Sequence, residues 1–203
     1  MSAGIYIFAV GLFFSFLGSI PPGTLNLTAL QYGLLHRMRA AFWFALASGI
    51  VEYGYAFLAV RFQVYLQDNT SFMDYFPIIA GSVMILYGIY NLFKKLHIQE
   101  GPQEQAEGRQ GFRRGVILSV LNPLAMPFWL AVTAYLQGEG ILNLMSIGHM
   151  ALYVAGISTG TFLLLYLVAR LARHFSHWLR NPIIVYRLPG IIFILLGLYT
   201  FLN

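Results

Sequence analysis

The sequence lacks cysteine altogether, and it has few charged residues for its length. Without cysteine the chain can form neither disulfide bonds nor thiolate metal sites, and it cannot relay electrons through a dithiol. Only 9% of the 203 residues are charged, against roughly 25% in ordinary soluble domains. A water-soluble protein of this size needs a larger polar surface, so the composition excludes that class and indicates a membrane protein.

Hydrophobic residues make up 59% of the chain and gather into six long runs. A transmembrane helix needs about 20 mostly apolar residues, and each run is near that length or longer. The first run has neither the basic start nor the small-residue cleavage site of a signal peptide. We therefore expect an all-α integral membrane protein in which residues 1–203 form one transmembrane domain. Its six transmembrane helices are predicted at 4–33, 40–61, 75–93, 112–136, 148–170 and 183–202.

Lysine and arginine are distributed unevenly among the segments that join these runs. Eleven of the twelve basic residues follow the first, third and fifth runs, and only Arg61 lies on the other side. An excess of basic residues marks the cytoplasmic side of a membrane. We predict a multi-pass protein of the bacterial cytoplasmic (inner) membrane, with both termini outside and loops 1–2, 3–4 and 5–6 in the cytoplasm. The net charge of +5 then serves contact with lipid headgroups, and no nucleic-acid partner is expected.

The stretch 95–111 is the one segment with the composition of a soluble chain, rich in Glu, Gln and Gly. We interpret it as a cytoplasmic linker between a first repeat, 1–94, and a second repeat, 112–203. Each repeat holds three spans, an odd number, so the second repeat is inverted relative to the first. A regulatory or docking role for the linker is the alternative.

Proline interrupts the first and the fourth run at corresponding positions of the two repeats. The first run contains Ser-Ile-Pro-Pro-Gly-Thr-Leu-Asn at 19–26, and the fourth contains Ser-Val-Leu-Asn-Pro-Leu-Ala-Met-Pro at 119–127. Proline has no amide hydrogen, so the carbonyl four residues earlier, that of Ser119 in the fourth run, is expected to lose its partner. Such breaks persist in a bilayer only where protein or a water-filled cavity surrounds them. A single proline is usually a structural kink, whereas paired breaks in inverted halves are typical of a transporter.

Each break can begin a new half-helix whose free amides face the cavity. Asn122 followed by Pro123 is typical of an N-cap with proline at the first helical position, and Gly23 with Thr24 can do a similar job. Such helix ends bind anionic groups, for instance the carboxylate of an amino acid. The predicted substrate-binding residues are therefore Pro21, Pro22, Gly23, Thr24, Asn26, Asn122, Pro123 and Pro127.

Glu52 is the one acidic residue near the middle of a run. A charge at the bilayer centre costs at least about 2.5–3.5 kcal/mol, so Glu52 is expected to face a neighbouring helix or a cavity. A carboxyl group that takes up and releases a proton can couple transport to a proton gradient, and we assign Glu52 this role. A permanently protonated Glu bonded across helices is the alternative. At helical spacing Glu52 shares one stripe with Ala45, Ser48, Gly49, Ala56 and Ala59.

Other patterns suggest chemistry that their surroundings do not support. Gly156-Ile-Ser-Thr-Gly160 matches a serine-hydrolase motif but lies inside an apolar helix. His174 and His177 have the spacing of metal ligands, yet arginines surround them and the segment suits an interfacial helix. The chain has no phosphate-binding loop, so its energy would come from a gradient. We predict no enzyme activity, no catalytic residue, no metal site and no cofactor.

The segments around the breaks resemble the LysE/RhtB family of amino-acid exporters, within the LysE-type translocator superfamily. The first is Gly18-Ser-Ile-Pro-Pro-Gly-Thr-Leu-Asn26, and the second runs from Gly111-Phe-Arg-Arg-Gly115 to Pro127-Phe-Trp129. Further matching positions in the first half are Gly33, Arg37, Arg39, Gly49 and Glu52. The family usually has Pro where this chain has Thr24, and often Lys where it has Leu124, so the resemblance does not name a substrate.

The resemblance implies a secondary transporter that exports amino acids or similar small polar metabolites across the inner membrane by proton antiport. The expected partners are a small-molecule substrate, protons and membrane lipid, with a homodimer as one option for assembly. Export of divalent cations or other inorganic ions is an alternative that would want more intramembrane carboxylates. A membrane scaffold without transport activity and an intramembrane enzyme are further alternatives.

Overall fold

A computed structural model of the chain describes residues 2–19, 23–68, 76–93, 108–122, 125–144, 146–174, 181, 183 and 187–202. Within these ranges the chain is almost entirely helical and contains no strand, as the all-α prediction expects. The helices, in chain order, are α1 (Ser2–Gly18), α2 (Thr24–Leu34), α3 (Met38–Asp68), α4 (Phe76–Phe93), α5 (Gly108–Val120), α6 (Ala125–Gly138), α7 (Ile147–Arg170) and α8 (Leu188–Leu202).

Two of these helices are long and apolar enough to cross a membrane by themselves, over Met38–Gln63 in α3 and Ile147–Arg170 in α7. Helices α5 and α6 meet the same criterion together, as one span bent by 65° at a short break. Apolar helices of this kind are consistent with a membrane protein. The total of six spans stays a prediction, since the remaining apolar segments are shorter: Ala3–Gly18, Met84–Phe93 and Gly190–Tyr199.

The helix boundaries differ from the predicted runs at several places, among them the end of α3, which reaches Asp68 where its run was predicted to end at 61. Helix α8 begins at Leu188, whereas its run was predicted from 183. Helix α5 begins at Gly108, so residues 108–111, which we assigned to the linker, are helical. The physical reason for the earlier start of α5 is a stripe of glycines, which a hydropathy pattern does not detect. Gly111 lies against the backbone carbonyl of Ala40, and Gly115 lies against that of Phe44, so α5 packs closely on α3.

Each divided run lies along one long helix from the other half of the chain. Helices α1 and α2 both pack on α7, and α5 and α6 both pack on α3. Helices α3 and α7 pack on each other, and α4 packs on α8. Exchanging α1–α4 for α5–α8 in chain order leaves these larger contacts unchanged, whereas the smaller contacts of α2 with α3 and α5 have no counterpart of similar size among the described residues.

The directions of the packed helices follow from the residues in contact. Helix α5 runs parallel to α3, because Gly111 meets Ala40 and Gly115 meets Phe44 one turn further along. Helix α7 runs antiparallel to α3, because Phe42 contacts Tyr166 at one end of the pair and Gly49 faces the carbonyl of Ser158 further on. The start of α3, the start of α5 and the end of α7 therefore share one end of the bundle, and they carry Arg37, Arg39, Arg109, Arg113, Arg114, Arg170 and Arg173.

The apolar core is divided into two clusters along α3 and α7. One cluster joins α2 to residues 40–45 of α3 and 164–172 at the end of α7. The other joins α1 and α6 to residues 56–60 of α3 and 150–157 of α7. The two breaks and the middle of both long helices lie between these clusters, which positions the candidate site.

Candidate functional site

A layer of buried polar side chains separates the two apolar clusters. It consists of Ser15 from α1, Ser48 and Glu52 from α3, Ser119 from α5 and Thr161 from α7. The hydroxyl of Ser15 donates to the carbonyl of Ile157 at 2.7 Å and lies 3.0 Å from the hydroxyl of Thr161. Burying polar groups between apolar layers costs free energy unless the groups are paired. The layer therefore marks the middle of the bundle as the candidate functional site.

The first break is held by a side chain from the helix that follows it. Asn26 is buried in α2, and its side-chain amide donates to the carbonyl of Ser19 at 2.8 Å. That carbonyl follows the last turn of α1, where carbonyls lack partners within the helix. Pro21 and Pro22 lie outside the described residues. Asn26 thus supplies a hydrogen bond that spans the break.

The start of α2 faces open space. Gly23 is its N-cap, with φ −120° and ψ −168°, and no side chain caps the helix. A Cβ placed on Gly23 would have no described neighbour within 4 Å. Thr24, the next residue, is exposed. Helix α2 thus begins at Thr24 with Gly23 as its N-cap, as predicted, while a role of this helix start in substrate binding stays a prediction.

The second break differs from its prediction in one detail. The carbonyl of Ser119, which we expected to lose its partner, accepts a hydrogen bond from the amide of Asn122 at 3.1 Å. The chain tightens into a three-residue turn at this helix end, a common way to satisfy terminal carbonyls. Pro123 lies outside the described residues, and described α6 begins at Ala125. Pro127 is the third residue of α6, where its missing amide hydrogen breaks no helical bond.

Two side-chain hydroxyl groups lie near the second break, and only one of them has a hydrogen-bond partner among the described residues. The hydroxyl of Tyr55 donates to the carbonyl of Val120 at 2.8 Å, which ties α3 to the last turn of α5. One residue earlier, Ser119 is 1% exposed, and its hydroxyl has no hydrogen-bond partner among the described residues. A buried hydroxyl without a partner is rare in native structures and calls for an explanation such as a ligand.

Glu52 faces the interior of the bundle, as predicted. Its side chain is 8% exposed, and its carboxyl group accepts a hydrogen bond from the indole of Trp129 in α6. All other members of its predicted stripe on α3 are also buried. The opposite face of the helix exposes Ile50 and Leu58. The prediction of the buried face is confirmed, while the proton-coupling role of Glu52 stays a prediction.

The two breaks meet through a contact between α1 and α6. Gly18, the last residue of α1, lies directly under the ring of Phe128. The ring of Phe128 packs edge-on against that of Trp129, with 4.9 Å between the ring centroids. Trp129 in turn bonds to Glu52. A continuous line of contacts therefore joins the end of the first half-helix to the buried carboxyl group.

Sequence reasoning missed Trp129, Phe128 and Ser119 as members of this site. Trp129 and Phe128 stood within the quoted second-half motif, but no pattern in one sequence says which helix face meets Glu52. The expectation for Ser119 concerned only its backbone carbonyl and not its hydroxyl. The signal that could have found it is its place in line with Gly111 and Gly115 at helical spacing.

The patterns that we set aside have structural partners of their own. The hydroxyl of Ser158 donates to the carbonyl of Gly49 at 2.7 Å, within the α3–α7 contact. A ring nitrogen of His149 lies 3.2 Å from the carbonyl of Asn143. Among the described residues, no three His, Asp or Glu side chains gather into a group that would hold a metal ion.

Comparison with known families supplies the remaining finding. The family model described as LysE type translocator matches residues 16–203. The match covers nearly the whole chain and includes both breaks and Glu52. No curated protein and no solved structure gives a significant match to the chain.

Proposed function

The chain belongs to the LysE type translocator family, and on that basis we propose that it exports amino acids or similar small polar metabolites by proton antiport. Membership of this family makes the protein a membrane transporter rather than an enzyme, and it confirms the resemblance drawn from the sequence. The proposal concerns the finer points: the substrate class, the direction of transport and the coupling ion.

The observation that carries the proposal is the meeting of the two breaks beside Glu52. Gly18 lies against Phe128, and the neighbouring Trp129 donates a hydrogen bond to the Glu52 carboxyl group. A substrate at this place would lie near the uncapped start of α2 at Gly23. Backbone amides at a helix start suit the carboxylate of an amino acid. The unpartnered hydroxyl of Ser119 offers a further polar contact.

Coupling to protons rests on the chemistry of Glu52. The group is buried between two apolar clusters, where a negative charge without a counter-charge is costly. We propose that Glu52 carries a proton in one state of the cycle and releases it in another. A substrate amine that pairs with the ionised carboxylate would compete with the proton, and this competition is the basis of antiport.

The exchange symmetry of the helix pairs supports an inverted repeat. In such transporters the two halves bind substrate between them and move relative to each other. We propose six spans, with both termini outside and the arginine-bearing end of the bundle in the cytoplasm. Pro21, Pro22, Asn122, Pro123 and Pro127 would then shape the two breaks, and Thr24 and Asn26 would line the first one.

A flux measurement tests the proposal. Proteoliposomes loaded with a mixture of amino acids receive a pH gradient, and the amino acids released are separated and quantified. We expect one or a few of them to leave faster than from protein-free liposomes, and only while the gradient persists. Release that is identical with and without the gradient would refute proton coupling. Release equal to that of protein-free liposomes for every amino acid would refute the substrate class.

A further inference from the structure

A cavity of about 590 Å³ opens between the starts of α3 and α5, at the arginine-bearing end of the bundle. Its lining consists of Arg39 and Trp43 from α3 and Gly108, Arg109 and Phe112 from α5. Trp43 precedes Glu52 by nine residues, a rise of roughly 13 Å along the helix. The cavity is therefore separate from the two breaks, and the proposed transport mechanism does not use it.

The walls of this cavity are aromatic and closely packed. The rings of Trp43 and Phe112 lie 6.3 Å apart between centroids, at 70° to each other. Gly108 lies directly against the indole, so any larger residue there would collide with Trp43. Trp43 is 38% exposed and faces α5, whereas the neighbouring Phe42 faces α7, where its ring packs edge-on against Phe162. An amphipathic indole at a helix end is typical of the boundary between the bilayer and water.

The rim of the cavity carries positive charge that the described chain does not balance. Arg39 and Arg109 are both exposed. Acidic residues among the described ranges lie elsewhere: Glu52 in the middle of the bundle, and Asp68 and Glu139 at the far ends of α3 and α6. Two guanidinium groups, one from each helix, therefore face the same space, and none of the described carboxylates lies beside them.

We propose that this cavity binds the phosphate group of an anionic phospholipid, held by Arg39 and Arg109, with the glycerol and first acyl carbons against Trp43 and Phe112. Guanidinium groups bind phosphate through paired hydrogen bonds, which favours arginine at such sites. The volume is within the usual range of small-ligand sites and exceeds what a lone phosphate needs. Basic pockets between helices on the cytoplasmic side of a membrane suit lipid headgroups in this way.

Thermal unfolding of the purified full-length chain in a nonionic detergent tests the proposal. The probes are short-chain phosphatidylglycerol, short-chain phosphatidylcholine and inorganic phosphate, each titrated separately. Phosphatidylglycerol is expected to raise the melting temperature by about 3–5 °C at a tenfold excess over its Kd. Phosphatidylcholine and inorganic phosphate are expected to leave it unchanged.

Arginine variants test whether the rise in melting temperature comes from binding in the cavity. Arg39→Gln and Arg109→Gln should each lose most of the rise. Arg113→Gln, an exposed arginine on α5 that does not line the cavity, should keep it. An equal loss in Arg113→Gln would show diffuse surface attraction and overturn the site. A full rise with phosphate alone would assign the cavity to a free anion, and an equal rise with phosphatidylcholine would remove the role of charge; either result overturns the lipid proposal.

Tryptophan fluorescence provides a second test, and this test does not require the arginine variants to fold. Brominated lipids quench tryptophan at close range, and the contribution of Trp43 is the difference between the wild type and Trp43→Phe. We expect brominated phosphatidylglycerol to quench that contribution more strongly than brominated phosphatidylcholine does. Equal quenching by the two lipids would contradict the proposal.

Discussion

Trp129 of α6 donates its indole N–H to the carboxyl group of Glu52 on α3, a residue 77 positions earlier in the chain. Both side chains are buried, and both come from helices that border the second break. The bond fixes the position of the carboxyl group, and the edge-on contact of Phe128 with Trp129 extends that order to the end of α1. We therefore expect a change of charge at Glu52 to alter the packing of Trp129 and Phe128, where the two breaks meet.

Replacing Glu52 by Gln should abolish proton-driven flux while the protein still folds. The amide keeps an oxygen that can accept from Trp129, but it cannot release a proton. Substrate exchange across the membrane without a pH gradient should persist, because exchange needs binding and not coupling. Glu139→Gln, an exposed residue after α6, serves as the matched control. Unchanged gradient-driven flux in Glu52→Gln would exclude the coupling role.

The Trp129–Glu52 bond should appear as a coupling between two substitutions. Trp129→Phe keeps an aromatic ring in the core and removes the donor, so we expect slower proton-driven transport in a folded protein. Combined with Glu52→Ala, which removes the acceptor, it should lower the melting temperature little further, since the two residues share one bond and their effects are non-additive. Melting temperature is measured for both single variants and the double variant. Losses that simply add would mean that the two residues act independently.

Filling the open space at Gly23 should block transport. Backbone angles at Gly23 suit any residue, so Gly23→Leu should fold, and its side chain would enter the space beside the start of α2. Gly23→Ala should remain active, because one methyl group meets no described atom. Gly54→Leu, at another glycine with free surroundings but on the exposed side of α3, is the control. Normal flux in Gly23→Leu would place the substrate elsewhere.

The hydroxyl of Ser119 should matter for substrate and not for folding. Removing a buried hydroxyl that has no partner in the described part of the chain costs none of the described hydrogen bonds, so Ser119→Ala should keep or raise the melting temperature. Loss of one substrate contact should raise the apparent KM about tenfold. Ser82→Ala, on α4, is the comparison. A lowered melting temperature with an unchanged KM would make Ser119 a structural residue.

Close packing of α7 on α1 should make Gly156 intolerant of a methyl group. A Cβ there would collide with the backbone carbonyl of Phe8, which cannot rotate away. Gly156→Ala should lower the melting temperature by about 5 °C, the usual size of an overpacking penalty in a chain of this length. Gly148→Ala, in the same helix with nothing nearby, should raise it slightly through helix propensity. Equal effects at both sites would contradict the α1–α7 contact.

The sequence predicted the buried face of α3 because small residues and a carboxyl group at helical spacing cannot face lipid. Ala45, Ser48 and Glu52 are buried, and the bulky Ile50 and Leu58 are exposed. Its charge pattern also fits the structure, where seven described arginines gather at one end of the bundle. Both results depend on local periodicity and on the cost of charge in a bilayer, which a single sequence contains.

The partners across helices could not be predicted from the sequence. Gly18 meets Phe128, and Glu52 meets Trp129, through the relative register of helices that lie far apart in the chain. Hydropathy also missed the first turn of α5, residues 108–111, since Arg109 and Gln110 make it polar. The glycines at its packing face determine where this helix lies, and their spacing was visible without being used.

The packing of α1 and α2 on α7 has a consequence for how the chain is made. Ser15 finds its hydrogen-bond partner in Ile157, a residue synthesised 142 positions later. While the first half leaves the ribosome, α1 lacks the surface of α7 on which it packs and α2 has only its contact with α3, so the lipid must surround these segments until α7 is made. Insertion therefore precedes assembly, as expected when membrane helices are stable before they associate. A fragment that ends before α7 would therefore lack the contacts with α7 that hold α1 and α2 in place in the complete chain.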